Sequence, residues 1–125
     1  MADSSFLSKV PNPVTIKNID HGKVVNLVDL VTYQDGQVVS RTLSQHKTVT
    51  LTLFAFETGE GISTHTTPGD AMVQVLDGTA EVTIDGDVFT VGTGQSIVMP
   101  ANTPHGLKAK ERFKMLLTLI KEKAV

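Results

Sequence analysis

Turn signals interrupt this chain at short intervals, and almost everything between them favours an extended backbone. His21-Gly22, Asp35-Gly36, Thr58-Gly59, Pro68-Gly69, Asp77-Gly78, Asp85-Gly86, Gly92-Thr93-Gly94 and Thr103-Pro104 all carry the glycine or proline of a reversal. The intervening segments are rich in side chains branched at Cβ: 16 Val, 16 Thr and 6 Ile make up 38 of the 125 residues. Such side chains lose rotamer freedom in a helix and fit a pleated surface. Many short strands with frequent turns predict an all-β sandwich or barrel.

At 125 residues the chain suits one domain around one core. A domain of this size hides roughly two-thirds of the surface its unfolded form exposes, enough to stand without covalent staples. None are available, because cysteine is absent, which also excludes thiolate metal sites and a cysteine nucleophile. The 11 Lys and Arg against 13 Asp and Glu give a net charge of -2, too balanced to follow a phosphate backbone, so nucleic acid is not expected as a partner. Lys108, Lys110, Arg112, Lys114, Lys121 and Lys123 concentrate near the C-terminus and read as a solvated edge. No stretch approaches the ~20 apolar residues of a membrane span, and Met1-Ala2-Asp3-Ser4-Ser5 lacks the basic and apolar parts of a secretory leader. A cytoplasmic protein with no membrane partner is the expectation.

Pro11-Asn12-Pro13 and a lack of periodicity mark residues 1–19 as an arm lying over the body or over a neighbouring subunit, and residues 20–125 as the domain. Candidate strands cover 23–31, 37–43 and 48–56, the last alternating Val49, Leu51 and Leu53 with threonines. Asp85-Gly86 suits a two-residue type I′ turn and closes a hairpin over 80–91. That closure sets Val82 opposite Phe89 and Ala80 opposite Val91 on one face, and Glu81 opposite Thr90 on the other. The final strand, 113–120, is too apolar for a half-exposed edge. Both its faces are expected to be covered, one by a second subunit, and a homodimer is the predicted assembly. Lys114 within it points either inward, as a buried amine, or outward, as an edge or interface lysine.

The residues able to do chemistry concentrate in two stretches. In GEGISTHTTPGDAMVQVLDG, residues 59–78, Gly59 leads by five residues to His65, by one to Thr67, by three to Ala71 and by six to Gly78. In GQSIVMPANTPHGLKA, residues 94–109, the intervals between Gly94, Pro100, Asn102, His105 and Ala109 are five, one, two and three residues. This spacing resembles the two signature motifs of the cupin superfamily, small β-barrels that usually hold a divalent metal on three histidines and one glutamate. The resemblance spans roughly residues 47–120 and implies a double-stranded β-helix, or jelly-roll, barrel, with the 80–91 hairpin filling the interval between the motifs. Thr67 stands where the family has its second histidine, Ala71 where it has the glutamate, and Asn102 and Ala109 where the second motif has glycine and asparagine.

The resemblance places His65 and His105 inside the barrel. There they are candidate ligands of a divalent transition metal (zinc, nickel, iron or manganese), or candidate catalytic groups working as general acid and base. A catalytic metal normally has about three protein ligands and an open position. A third donor would come from His46, Asp70, Gln74 or water, and Asp70 is turned away by strand alternation unless the strand bulges. Thr67 offers a weakly donating hydroxyl. Ala71 removes both charge and bulk, so Thr67, Ala71, Met99 and Met115 outline a roomier, less anionic pocket suited to a small organic ligand, although methionine also serves as core filler. No Gly-x-Ser-x-Gly elbow, phosphate loop or dinucleotide fingerprint is present. Two readings stand: a cupin binding a small molecule, with a loosely held metal on His65 and His105, and a metal-free binding or interaction module with an eroded site. The first leaves enzymatic activity open; the second is non-catalytic.

Overall fold

The computed structural model describes residues 15–122; residues 1–14, most of the expected arm, and 123–125 lie outside it. The described chain forms eight strands: β1 (Val38–Gln45), β2 (Val49–Phe56), β3 (Gly61–His65), β4 (Asp70–Ile84), β5 (Asp87–Gly92), β6 (Ser96–Met99), β7 (His105–Lys108) and β8 (Phe113–Ile120). All pair antiparallel. One sheet runs β1-β2-β8-β4-β6 and the other β3-β7-β4-β5. The shared element is β4: its first half pairs with β8 and β6, its second with β7 and β5. The architecture is all-β, as the turn pattern predicts, and of its two alternatives the curled antiparallel barrel is the one the motif resemblance implies.

The corner in β4 has a local cause. A bulge interrupts the β4–β8 ladder between Val75 and Asp77, and Gly78 follows with φ +77. A side chain at Gly78 would strike the carbonyl oxygen of Arg112, so the position demands glycine on two grounds. Beyond the corner the hairpin is the one its sequence predicts. Ala80 faces Val91, Glu81 faces Thr90 and Val82 faces Phe89, across a turn in which Asp85 (φ +49) and Gly86 (φ +85) are both left-handed.

Alternation sorts the apolar residues onto two sides of the β2–β8–β4 surface. Inside the barrel, Phe56, Val73, Val75, Ala80, Val82, Phe113 and Met115 are buried together, and the Phe56 and Phe113 rings stack at 4.6 Å between centroids. Each large side chain so buried contributes about 1.5–3 kcal/mol. Outside it, Leu53 and Ala55 of β2 and Leu116 of β8 meet Leu27, Leu30, Val31 and Tyr33. The strand expected over 23–31 is therefore absent; residues Leu27–Leu30 form one turn of 3-10 helix. Leu27, Leu30 and Val31 stand at i, i+3 and i+4, a helical spacing that turns them together onto the sheet.

This pad also accounts for much of the apolar character of β8, a central strand between β2 and β4. Its inner face fills the barrel, and over Lys114 and Leu116 its outer face is covered by the chain's own residues. Lys114 is directed away from the barrel yet buried: its Nζ donates to Val28 O at 2.7 Å and lies 5.0 Å from the Tyr33 ring centre. The Arg112 guanidinium sits 4.5 Å from the same centre and pairs with Glu57 at 2.7 Å. Hydrogen bonding from Arg112 holds the Glu57 carboxyl below the usual range. Residues 15–19 follow β1, where Lys17 N donates to Leu43 O at 2.7 Å and Ser44 Oγ to Thr15 O at 2.6 Å. No helix among the described residues is long and apolar enough to cross a membrane.

Candidate functional site

His105 opens β7 and is 1% exposed. It shares the inward face of Leu107, two residues on, and its ring is aimed by the turn before it. That turn contains Asn102 at φ +60, a left-handed conformation that asparagine tolerates better than most residues. Asn102 N donates to Thr67 O at 2.7 Å, Ala101 N to Asp70 Oδ1 at 2.8 Å, and Asp85 N to Pro104 O at 2.8 Å. The second motif is thereby tied to the first motif and to the hairpin. Within this frame His105 Nδ1 donates to Thr103 O at 2.9 Å.

His65 reaches the same place by a route that simple alternation does not provide. Ile62 faces Leu107 across β3 and β7, and strict period two would then send Thr64 inward and His65 outward. Instead Ser63 and Thr64 together oppose Gly106, and the ladder resumes with His65 facing His105. Gly106 makes room for this bulge: a Cβ there would sit 3.0 Å from Ile62 O and 3.3 Å from Thr64 N. The two imidazoles meet edge to face with ring centroids 4.5 Å apart.

The rings are oriented alike. His65 Nδ1 lies 2.9 Å from Ser63 O, repeating the bond from His105 to Thr103 O two residues back. A carbonyl accepts only, so Nδ1 carries the proton in each neutral ring, and Nε2, farther from the backbone, keeps the lone pair. This is the arrangement in which a histidine serves as ligand, hydrogen-bond acceptor or base.

The other sequence-derived candidates are dispersed. Thr67 lies beyond the end of β3 and donates its hydroxyl to Gly69 O at 3.1 Å, within its own turn. Ala71 is buried inside the barrel, facing Met99 and Leu119. Met99 and Met115 are fully buried among core side chains. Asp70 is committed to Ala101 N, Gln74 alternates with inward Val73 and Val75 and so faces out, and His46 bonds the Thr15 carbonyl at 3.2 Å. His21 likewise bonds the Ile16 carbonyl, at 2.7 Å. Among the described residues no group of three His, Cys, Asp or Glu side chains could hold a metal ion. The donor set therefore does not fit a centre of three histidines and a glutamate: the chain supplies two imidazoles, a methyl group and a hydroxyl bonded elsewhere. Sequence reasoning missed the bulge that brings His65 inward; its trace in the sequence is Gly106, directly after His105.

Comparison with known proteins agrees with this geometry. The family model described as the cupin domain matches residues 52–120, and the chain belongs to the cupin family. It is similar to a conserved protein of unknown function from Streptococcus pyogenes, with 47% identity over 87% of this chain and 96% of that one, at a TM-score of 0.85. A cupin superfamily protein from Desulfitobacterium hafniense is 30% identical over 86% of this chain and 98% of its own, at a TM-score of 0.82. A cupin 2 conserved barrel domain protein from Leptotrichia buccalis is 45% identical over 78% of this chain but 47% of its own, at a TM-score of 0.76. No curated protein matches the chain.

Proposed function

We propose that this cupin binds a small organic molecule in the open end of its barrel, with the His65–His105 pair as the polar anchor. The observation that carries the reading is the pair itself: a bulge and a constrained turn, from separate motifs, bring two imidazoles to 4.5 Å and leave both Nε2 lone pairs free of the intramolecular bonds that orient the rings. The same nitrogens would serve a binding role or a general acid and base. A divalent metal resting on two imidazoles needs its remaining ligands from the bound molecule or water, so retention of metal through purification is not expected.

Elemental analysis of the protein purified without a histidine tag tests this, alongside His65→Ala and His105→Ala. Metal well below one equivalent is expected in all three, and zinc, nickel, iron and manganese should each raise the wild-type melting temperature little. Near-stoichiometric metal lost in both variants would overturn the metal-free reading and make the pair a metal site. Mass spectrometry of the same wild-type preparation should find a co-purified organic molecule that His65→Ala loses. Its absence, with no small molecule altering stability, would favour a barrel retained as an interaction module.

A further inference from the structure

The inner wall of the barrel is graded from one end to the other. Along β8, Phe113 and Met115 are wholly buried while Leu117 and Leu119 are half-exposed, and along β2 wholly buried Phe56 gives way to half-exposed Phe54. Ile84 on β4 and Ile62 on β3 are half-exposed at the same end, next to His105 and His65 in the strand registers. The packed end is closed core; at the other end Ala71 and Met99 stay buried while a partly exposed apolar rim surrounds exposed His65, with His105 buried beside it.

Most charged side chains of the surrounding strands are directed elsewhere; Asp87 of β5, opposite Ile84 and so on its face, is an acceptor and not a cation. Asp70 is held by Ala101 N, Asp77 accepts from Tyr33, Glu81 pairs with Lys110 at 3.0 Å, and Arg41 donates to Asn18 O. Lys114 is buried beneath residues 27–33, and Lys108, next to inward Leu107, is exposed on the other face. Among the described residues no cation is fixed at this rim for a phosphate or a nucleotide, and a sugar would bring hydroxyls to partly exposed apolar walls that cannot bond them. The Nε2 lone pairs of the two rings are acceptors and call for a donor.

Resting on the small-molecule reading above, we infer that the ligand class is an apolar molecule, aromatic or alicyclic, whose head group is a neutral O–H or N–H donor, bound with that donor on Nε2 of His65 or His105. The body of the ligand covers the half-exposed apolar rim, and the head group supplies the hydrogen bond that the rim otherwise leaves to water.

Titration of the full-length protein at about pH 8, above the ordinary imidazole range, tests the inference with three probes: 4-ethylphenol, its methyl ether and glucose. Histidine ring resonances in nuclear magnetic resonance spectra report the site. The phenol should shift the His65 and His105 signals and bind about five- to tenfold more tightly than the ether, which keeps the shape but lacks the donor. In His65→Ala, an exposed position whose change should leave the fold intact, that preference should shrink or vanish. Equal binding of phenol and ether would overturn the donor assignment, and glucose shifting both rings while the phenol is silent would overturn the ligand class; either result leaves the barrel reading standing. Failure of every probe to shift either ring would overturn this inference and the proposed function together.

Discussion

Tyr33 shows how one side chain can report on a whole contact region. Burial, and then the 2.6 Å hydrogen bond to Asp77, push its phenol well above the ordinary range, with the Asp77 charge acting in the same direction. A phenol whose folded pKa is raised stabilises the fold fully below its unfolded value of about 10, and that contribution is lost as pH rises from there toward the folded value. Because the chain has one tyrosine and no tryptophan, ultraviolet absorbance isolates it. Tyrosinate should appear well above pH ~10 in the folded protein, unfolding stability should fall with pH over that interval, and Tyr33→Phe should flatten the fall. Absorbance that titrates as it does in the unfolded chain would contradict the contact. The two site histidines differ in a comparable way. His105 is 1% exposed, so His105→Ala should cost about 1–3 kcal/mol in chemical denaturation through a cavity and lost bonds. His65 is exposed, and His65→Ala should cost under ~1 kcal/mol.

At the scale of the elements, two glycines set geometry that no other residue would keep. Gly78 turns β4 from one sheet into the other, and Gly78→Ala should destabilise the protein by more than ~1 kcal/mol, since it adds left-handed strain to a clash with the Arg112 carbonyl. A denaturation midpoint equal to wild type would show that the corner tolerates a side chain. Gly106 allows the β3 bulge on which the position of His65 depends. Both elements adjoin parts of the fold that were legible in advance. The hairpin register across β4 and β5 follows from Asp85-Gly86 and period two, and β8 spans the residues its apolar run predicts. The segment 23–31 was not legible in the same way, because its β-branched content favours a strand while its burial on the sheet is decided by the spacing of Leu27, Leu30 and Val31.

The whole molecule is organised by sharing. β2 and β8 each give one face to the barrel interior and the other to the pad of residues 27–33. Neither layer can come apart without exposing the reverse face of the same strands, so the two are expected to unfold together. Tyr33 fluorescence reports the pad and far-ultraviolet circular dichroism reports the sheets; in a urea titration their transitions should superimpose, and an earlier fluorescence change would show that the pad detaches alone. By itself the sequence determined what depends on neighbours along the chain: the turns, the hairpin, the faces of β2 and β8, and the motif spacing that marked His65 and His105. Tertiary structure alone decided that a bulge opposite Gly106 brings His65 onto the face of His105, that Thr67 spends its hydroxyl on its own turn, and that Lys114 is buried beneath Val28. Each of these rests on pairing between segments distant in sequence, where packing and hydrogen bonding choose among conformations that local propensity leaves nearly equal in energy.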